Sequence, residues 1–339
     1  MIKRYIYGAG RYGKFMLEFC RKHNIDICGF IHSDDFESVF EQIPVLPFER
    51  IKLEEDVHEI FVAIADEAVC MSLIKMIKMV MPDCKVYNCF GFVEYNLYMA
   101  QETVEGRDHK CDICGSEFLR FLPGGSKDLF FEKWHIIGGG YRENYICPKC
   151  GSIDRERWLK YVLNHEKILE KGGRLLHFAP EGSISQLIKT YTGRIDYYSC
   201  DIVPSRAMHC MDITNLLFGD AVFDIVICNH VLEHIIDEKR AVEEIKRVMR
   251  NDGTFIFSFP ICTDKLTFED TSITNPDDRR TYYGQEDHVR LYGSDFKERF
   301  EKYGFDISIF TPYQEMDDDE IEKNGFIKDD VILIAKKRG

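Results

Sequence analysis

Apolar runs of strand length alternate with segments of helical periodicity in two parts of the chain. Near the beginning, residues 3–7 and 27–31 are strand-like and flank a helical run at about 12–23. After Arg174 the alternation returns and continues to a last apolar run at 330–336, the predicted antiparallel edge strand. Strands that alternate with helices predict a parallel sheet covered on both faces. The sequence therefore predicts an α/β protein with a sheet of this kind in each part.

A glycine-rich turn joins the first strand to the first helix. Gly8, Gly10 and Gly13 complete the Gly-x-Gly-x-x-Gly pattern of dinucleotide-binding turns. Glycines let the backbone approach a pyrophosphate, and the helix N-terminus offers it unpaired N–H groups. Asp34 or Asp35 is a candidate to bind a ribose hydroxyl. Two alternatives stay open: the glycines only permit close packing of strand and helix, or the domain carries out NAD-dependent redox chemistry.

Two Cys-x-x-Cys-Gly turns lie between the two α/β regions. The odd total of thirteen cysteines, in a chain that we expect to be cytoplasmic, favours thiols and metal ligands over disulfides. Two such turns supply four thiolates, which suit a tetrahedral Zn²⁺ site and leave no coordination position open. A redox pair is the alternative. The pattern thus predicts a structural zinc ion, with the ligands Cys111, Cys114, Cys147 and Cys150.

A helix is predicted directly after the second cysteine pair, over about 152–169. Arg155 and Arg157 lie near its beginning and are candidates to bind an anionic substrate, although a solvated helix start is the alternative for either one alone. We expect the cysteine module to lie over an active-site cleft or against the N-terminal domain. The segment 264–292 is long and polar and is predicted to be an irregular functional loop.

Three runs in the second half carry a resemblance to a known family: residues 176–182 (LHFAPEG), 228–235 (CNHVLEHI) and 283–293 (YGQEDHVRLYG). They resemble class I S-adenosylmethionine (SAM)-dependent methyltransferases of type 11, in particular a bacterial subgroup with a zinc ribbon ahead of the fold. The resemblance covers about 108–337. The chain departs from the superfamily at the first turn, where Ala-Pro-Glu-Gly replaces a Gly-x-Gly-type loop.

The resemblance implies a cofactor site at the carboxyl ends of the predicted strands, where ligands of such sheets bind. The small-residue turn would admit the methionine end, Asp201 would accept hydrogen bonds from the ribose, and Asp212 with Ile213 would contact the adenine. Asn229 would lie near the methyl group. The residues of the turn are Ala179, Pro180, Glu181 and Gly182.

Histidines in the same region are candidate bases for taking a proton from an acceptor hydroxyl. His230 and His288 are the main candidates, and His234 would share a helix face with His230 if a helix begins there. A histidine that only packs beside the cofactor is the alternative for each. Arg290 is the candidate to bind a phosphate or carboxylate of the substrate, unless it forms a structural salt bridge with Asp287 or a nearby glutamate.

The first 105 residues carry a resemblance of their own. It rests on the glycine turn, on residues 29–31 followed by the two aspartates, and on residues 43–46. These resemble the Rossmann-like, nucleotide-sugar-associated domains found beside enzymes of bacterial surface-glycan synthesis. The resemblance implies a nucleotide or nucleotide sugar as the ligand of this domain.

The composition of the chain narrows the classes of partner that we expect. A formal net charge of −14 and the lack of a basic stripe make a nucleic-acid partner unexpected. No stretch of about 18 apolar residues is present, so no membrane span is predicted, and the N-terminus lacks the apolar core of a signal peptide. We therefore expect a cytoplasmic protein. No feature of the sequence indicates an oligomeric state.

The sequence thus predicts three parts: a Rossmann-like nucleotide-binding domain over 1–105, a Cys₄ zinc ribbon over 106–152, and a Rossmann-like class I methyltransferase domain over 153–339. The predicted activity is SAM-dependent methylation of a small polar acceptor, with a nucleotide sugar or surface-glycan precursor as the substrate class. One alternative is a non-catalytic binding or scaffold protein that keeps the methyltransferase fold. Another is redox chemistry or epimerisation of a nucleotide sugar by the N-terminal domain.

Overall fold

The computed structural model describes residues 3–33, 37–53, 57–64, 67–89 and 107–338. Two compact units divide the chain, Met1–Glu105 and Gly106–Gly339. None of the helices within the described ranges combines the length and apolar character that crossing a bilayer requires. None of the thirteen cysteines, all of which lie in the described ranges, forms a disulfide.

The N-terminal unit is built around one six-stranded sheet. Its elements are β1 (Lys3–Tyr7), α1 (Arg11–Lys22), β2 (Gly29–His32), β3 (Ser38–Phe40), β4 (Ile43–Pro47), α2 (Phe48–Ile51), β5 (Val57–Val62), α3 (Glu67–Val80) and β6 (Lys85–Asn88). The strand order is β3-β4-β2-β1-β5-β6, and every pair is parallel except β3 with β4. Separate apolar clusters, one around Met16 and Phe30 and one around Ile31 and Ile77, cover the sheet. The predicted Rossmann-like domain is confirmed.

The C-terminal unit begins with the cysteine module. Its elements are β7 (His109–Lys110), β8 (Glu117–Phe118), β9 (Leu122–Gly125), α4 (Leu129–Lys133), β10 (Ile136–Ile137), β11 (Tyr141–Ile146) and α5 (Asp154–His165). The strands β7 and β8 pair with each other, and β9 pairs with β11 in an antiparallel ribbon.

The second α/β region of the same unit follows. Its strands are β12 (Gly173–Phe178), β13 (Ile195–Asp201), β14 (His209–Cys210), β15 (Phe223–Asn229), β16 (Met249–Ser258), β17 (Ile261–Cys262), β18 (Phe268–Glu269), β19 (Arg290–Gly293), β20 (Phe305–Phe310) and β21 (Ile332–Lys337). Its helices are α6 (Gly182–Lys189), α7 (Glu238–Val248), α8 (Pro276–Tyr283), α9 (Phe296–Lys302), α10 (Pro312–Glu315) and α11 (Asp318–Asn324), with 3-10 turns at Leu169–Lys171 and Leu232–His234.

Seven of these strands form the main sheet, in the order β14-β13-β12-β15-β16-β21-β20. The first five are parallel, whereas β21 runs antiparallel to both of its neighbours. The last strand is therefore not the edge strand that we predicted. The hairpin from β20 to β21 pairs Phe305 with Lys337 through Phe310 with Ile332, so β20 forms the edge. Because β21 is antiparallel, its beginning lies at the carboxyl ends of β15 and β16.

The prediction that residues 264–292 form an irregular loop is wrong. The segment contains β18 and α8 and leads into β19, which joins a four-stranded sheet in the order β10-β17-β19-β18. Apolar side chains explain why this segment forms regular structure. Tyr283 and Leu291 pack with Phe130 and Phe131 of α4 in a separate small core. Most polar residues of the segment are exposed, whereas His288 and Arg290 are buried.

Candidate functional site

The turn after β12 sets the candidate cofactor site. Ala179 has a positive φ of 43°, a conformation for which glycine is usual. Its N–H donates to Cys200 O at 2.8 Å, which ties the turn to the neighbouring strand β13. Helix α6 begins at Gly182 directly after Pro180 and Glu181, so its unpaired N–H groups point out of the carboxyl edge of the sheet.

Glu181 replaces a small residue in this turn and faces the interior. Its Oε2 accepts a hydrogen bond from His177 Nε2 at 2.7 Å, and its Oε1 lies 3.5 Å from Asn229 Nδ2. Burial raises the pKa of Glu181, but the hydrogen bond and charge of His177 outweigh it, so the pKa of Glu181 is lowered. The carboxylate is therefore ionised and held at the edge of the sheet.

Space and an unsatisfied hydroxyl lie at the start of α6. A Cβ atom on Gly182 would meet nothing within 4 Å. The buried Ser183 Oγ has no hydrogen-bond partner among the described residues. A polar ligand that approaches the helix N-terminus would fit both features, and the carboxylate of Glu181 would complement an ammonium or sulfonium group.

Asp201 ends β13, as predicted, and is partly exposed. Its Oδ1 accepts the N–H of Val203 at 2.7 Å. The next residue, Ile202, is 69% exposed, so an apolar side chain is accessible directly after this carboxylate. Asp212 is exposed and accepts two hydrogen bonds from Thr214, whereas Ile213 is buried. These positions suit a ribose and an adenine lying across the ends of β13 and β14.

Asn229 and His230 follow β15. Asn229 is buried and accepts a hydrogen bond from Ser258 Oγ at 3.2 Å. His230 has a positive φ of 50° and stands at the carboxyl edge, with Nδ1 at 3.3 Å from Glu233 Oε1. Burial, followed by the charge of Arg155, lowers the pKa of His230 against the opposing effect of Glu233. The ring is therefore held neutral at the place where the resemblance puts the methyl group.

Asp330 is a site residue that the sequence reasoning missed. It precedes β21 and is buried, with Oδ1 accepting the N–H of Val331 at 3.0 Å. A Cβ on Gly138 would lie 3.5 Å from Asp330 Oδ1 and 3.6 Å from His230 Cε1, so this glycine separates the two groups. Burial, and then the charge of Asp154, raise the pKa of Asp330 to about 7. The available signal was an aspartate before the last apolar run, which an antiparallel pairing returns to the carboxyl edge.

The two arginines at the start of α5 differ in whether their guanidinium groups have hydrogen-bond partners. Arg157 is fully buried and donates to five backbone carbonyls, of Asn144, Tyr145, Ser152, Asn324 and Gly325. The prediction that Arg157 binds substrate is therefore corrected, because all its donors are used to join the cysteine module to the main domain. Arg155 has a buried Nε with no hydrogen-bond partner among the described residues. Its charge acts on Glu181, His230 and Asp330.

Arg290 is also corrected as a substrate-contacting residue, whereas the role of His288 stays a prediction. The Arg290 side chain is 0% exposed. Its guanidinium donates to the carbonyls of Leu232, Ile235 and Ile236 and pairs with Glu269 at 3.0 Å. The alternative of a structural salt bridge thus describes Arg290. His288 is 2% exposed and packs edge-on against the ring of His234, with centroids 4.7 Å apart. Both side chains are buried.

The four predicted zinc ligands meet in the cysteine module. Their sulfurs all lie within 4.8 Å of one another. Cys111 Sγ is 3.7 Å from Cys150 Sγ, and Cys114 Sγ is 3.9 Å from Cys147 Sγ. A tetrahedron with Zn–S bonds of about 2.3 Å has S···S edges of about 3.8 Å, so the arrangement fits zinc. The glycine after each pair has a positive φ and donates back to the first cysteine, as in Gly115 N to Cys111 O at 2.8 Å.

In the N-terminal unit, packing explains two of the three glycines. Gly8 has φ +110°, and a Cβ there would lie 2.7 Å from Ala63 O; a Cβ on Gly13 would lie 1.8 Å from Gly8 O. Gly10 has an ordinary φ, and its Cβ would meet nothing within 4 Å. Close packing therefore explains why Gly8 and Gly13 are glycines. It does not explain Gly10, for which ligand binding stays a prediction. Asp34 and Asp35 lie outside the described residues.

Family models match both α/β regions. Residues 182–257 match a methyltransferase domain, and residues 3–77 match the PglD N-terminal domain. Together with the strand order of the main sheet, the first match defines a SAM-dependent methyltransferase fold of class I. The predicted resemblance is confirmed over these ranges: a methyltransferase domain lies in the C-terminal unit and a PglD-type domain lies ahead of it.

Individual relatives are distant. An uncharacterized protein of Methanocaldococcus jannaschii is 43% identical over 47 residues, which are 14% of this chain and 20% of that protein. Among solved structures, YcgJ of Bacillus subtilis is 17% identical, with 53% of this chain and 100% of that chain covered and a TM-score of 0.36.

Two further solved structures show a similar level of likeness. The PH0226 protein of Pyrococcus horikoshii is 17% identical, with coverage of 54% and 91% and a TM-score of 0.37. An O-methyltransferase of a Brevibacillus brevis multienzyme, in complex with S-adenosyl-L-homocysteine, is 14% identical, with coverage of 54% and 73% and a TM-score of 0.39. The fold class stated above rests on the strand order and the family match, and not on these structures.

Proposed function

We propose that the C-terminal unit transfers a methyl group from SAM to a small polar acceptor that carries a negative charge near the methylated atom. SAM supplies an electrophilic methyl group on a sulfonium, and the protein must place a nucleophile in line with it. The observation that carries the proposal is the group formed by Arg155, His230 and Asp330 at the carboxyl edge, beside the turn that begins α6.

The residues around this turn would hold the cofactor. Glu181 faces the ammonium group of the methionine end. The first N–H groups of α6 face its carboxylate. Asp201 accepts hydrogen bonds from the ribose hydroxyls, and Ile202 covers one face of the adenine. Asp212 and Ile213 contact its edge. Asn229 borders the methyl group.

The acceptor side has one cation and one proton acceptor. Arg155 binds the negative group of the acceptor, since its Nε is buried and has no partner among the described residues. Asp330 takes the proton of the attacking group, because its pKa of about 7 leaves a carboxylate that can accept a proton near neutral pH. His230, whose pKa burial lowers, orients the acceptor as a neutral ring.

A nucleotide sugar or a related surface-glycan precursor is the acceptor class that we infer. Its phosphates suit Arg155, and its hydroxyls suit a general base. The match of residues 3–77 to the PglD N-terminal domain supports the inference, through the resemblance of such domains to nucleotide-sugar-associated ones. Gly10 is then the position in the N-terminal unit where a nucleotide approaches the backbone. Weaker binding of a uridine-diphosphate sugar to Gly10→Val would support this, whereas tight NAD binding that the change abolishes would favour the redox alternative.

Zinc in the Cys₄ site has a structural role in this proposal. Four thiolates complete the coordination sphere, so the ion holds a module with a small core rather than reacting. Metal analysis of freshly purified protein should give at least about one equivalent of zinc per chain. Less than about half an equivalent would count strongly against the assignment.

Calorimetric titration with S-adenosylhomocysteine tests the cofactor site. Asp201→Ala should weaken binding by about 1.5–3 kcal/mol, roughly 10- to 150-fold, through loss of a charged hydrogen-bonding partner. The control is Asp196→Ala on the same strand, where the carboxylate is 58% exposed and pairs with Arg174 at the opposite edge. No binding by folded, zinc-loaded parent protein would favour the scaffold alternative.

Transfer of labelled methyl groups to a panel of nucleotide sugars tests the acceptor side. Arg155→Met should raise the KM for the acceptor by at least about 10-fold, because a charged hydrogen bond is lost, and should leave S-adenosylhomocysteine affinity nearly unchanged. Arg174→Met, at the amino edge of the sheet, is the matched control. An equal loss of cofactor affinity in Arg155→Met would assign the arginine to the methionine carboxylate instead.

A further inference from the structure

A second cluster of side chains with potential metal-ligand atoms lies beside the proposed acceptor site. It consists of Glu233, His234 and His288, and a ligand atom from each lies within 4.8 Å of the other two. The cysteine ligands are not part of it. Glu233 and His234 come from the 3-10 turn after β15, and His288 comes from the segment before β19.

The carboxylate of Glu233 is the strongest sign that something is bound here. Glu233 is 1% exposed, and neither Oε1 nor Oε2 has a hydrogen-bond partner within the described part of the chain. The neighbour of this carboxylate is His230, whose Nδ1 lies 3.3 Å from Oε1 as an ion pair. Burying a carboxylate with so few donors is costly, and a bound cation removes that cost.

The imidazole of His234 has polar partners outside the cluster that orient its ring. His234 Nδ1 lies 3.3 Å from the backbone oxygen of Asp287 and 3.3 Å from its carboxylate. The ring of His288 packs edge-on against that of His234, with centroids 4.7 Å apart. Histidines that bind metals almost always donate their second ring N–H to a carbonyl or carboxylate, which fixes the ring for coordination.

The surrounding backbone fixes the two segments against each other. Val289 N donates to Glu233 O at 2.9 Å, which joins the segment of His288 to the turn of the other two residues. Arg290 holds the same turn through the carbonyls of Leu232, Ile235 and Ile236. Arg290 is therefore a positioning residue for the cluster.

We propose that Glu233, His234 and His288 bind one divalent transition-metal ion at a site separate from the Cys₄ site. Two imidazoles and one carboxylate are the donor set of open zinc sites and of non-haem iron(II) sites. Three protein ligands leave coordination positions for water or for an oxygen of a small molecule. The 32% exposure of the His234 side chain gives the ion a route from solvent. The proposal depends on these side chains alone and not on the acceptor class.

Cobalt(II) titration of the full chain with its cysteine site filled by zinc tests the proposal. The parent should bind about one further equivalent, with a spectrum that lacks the thiolate charge-transfer bands of a cysteine site. Glu233→Gln, which keeps the shape and removes the charge, should weaken this binding at least about 100-fold, since even outer-shell changes cost 10- to 100-fold. Zinc in the cysteine site should stay near one equivalent in both proteins.

His135→Asn is the control, because His135 is 76% exposed and pairs with Asp264 without being part of the cluster. If Glu233→Gln fails to fold, as judged by thermal unfolding and zinc retention, His234→Asn decides the question, since its side chain is partly exposed. Failure of the parent to bind more than its cysteine-site zinc would overturn the proposal. Unchanged cobalt affinity in a folded Glu233→Gln or His234→Asn would overturn it as well.

Discussion

In both α/β regions the first strand leads through a turn into the N-terminus of a helix, but different residue types form the two turns. In the N-terminal unit Gly8 and Gly13 remove side chains so that backbone can touch backbone. In the C-terminal unit Ala179 takes the positive φ, and Glu181 fills the turn with a carboxylate held by His177. The first turn is thus defined by steric fit and the second by charge. Substitutions in the two turns should fail for different physical reasons.

The largest effect is expected at Gly13. Gly13→Val would place a Cβ 1.8 Å from Gly8 O, and because the contact is backbone, the helix itself must shift. We expect a loss of roughly 4 kcal/mol or more in the stability of the N-terminal unit, at the upper end of overpacking effects. Hydrogen exchange of α1 in the full chain measures this. Gly10→Val, whose Cβ meets open space, is the control, and equal protection loss in both variants would contradict the steric account.

The stability of the C-terminal unit should depend on pH because of Asp330, a buried carboxyl group at the carboxyl edge of the sheet. The groups that face it are Asp154, Arg142, Arg155 and His230. A carboxyl whose folded pKa is raised to about 7 binds a proton that the unfolded chain has already released. Stability therefore falls as pH rises from about 4 to about 7.

Asp330→Asn should remove this fall. At pH 8 the variant should be more stable than the parent by roughly 2–3 kcal/mol, and near pH 4 the two should be nearly equal. Urea unfolding at several pH values measures the difference. The same variant should lose methyl transfer if Asp330 is the base. If Asp330→Asn is less stable than the parent at pH 8, the ionised carboxylate of Asp330 stabilises the fold through its partners, and the cost of its burial is not the larger effect.

Glu181→Gln tests the charged turn directly. The lowered pKa of Glu181 means that its ionised form stabilises the fold above the ordinary glutamate pKa, and that this stabilisation is lost as pH falls through the lower, folded pKa. We expect the substitution to cost about 1.5–2 kcal/mol at pH 7, since a hydrogen bond to a charged group is weakened, and less in acid. Thermal unfolding at pH 7 and pH 4 measures both. A cost that does not shrink at low pH would assign the effect to shape rather than charge.

The same contrast explains what the sequence could predict. Patterns whose meaning is local predict the structure: the alternation of strands and helices, and the two cysteine pairs that meet in one cluster. Such patterns do not predict roles that depend on distant pairing. Asp330 reaches the carboxyl edge only because β21 is antiparallel. Arg290 and Arg157 looked like substrate ligands, and only the fold shows that backbone carbonyls use their donors.

The smallest effect on stability is expected at Gly182, which is the counterpart of Gly10 in the charged turn. Its φ is not in the left-handed region, and a Cβ there meets nothing within 4 Å, so Gly182→Ala introduces no strain. Alanine loses less backbone entropy than glycine on folding, and we expect a gain of about 0.5 kcal/mol in stability. The added methyl group should nevertheless occupy the space that the methionine end needs and weaken S-adenosylhomocysteine binding about 10-fold. Calorimetry beside thermal unfolding separates the two effects. Unchanged affinity would mean that the cofactor does not approach the start of α6, and would move the methionine end toward Arg155.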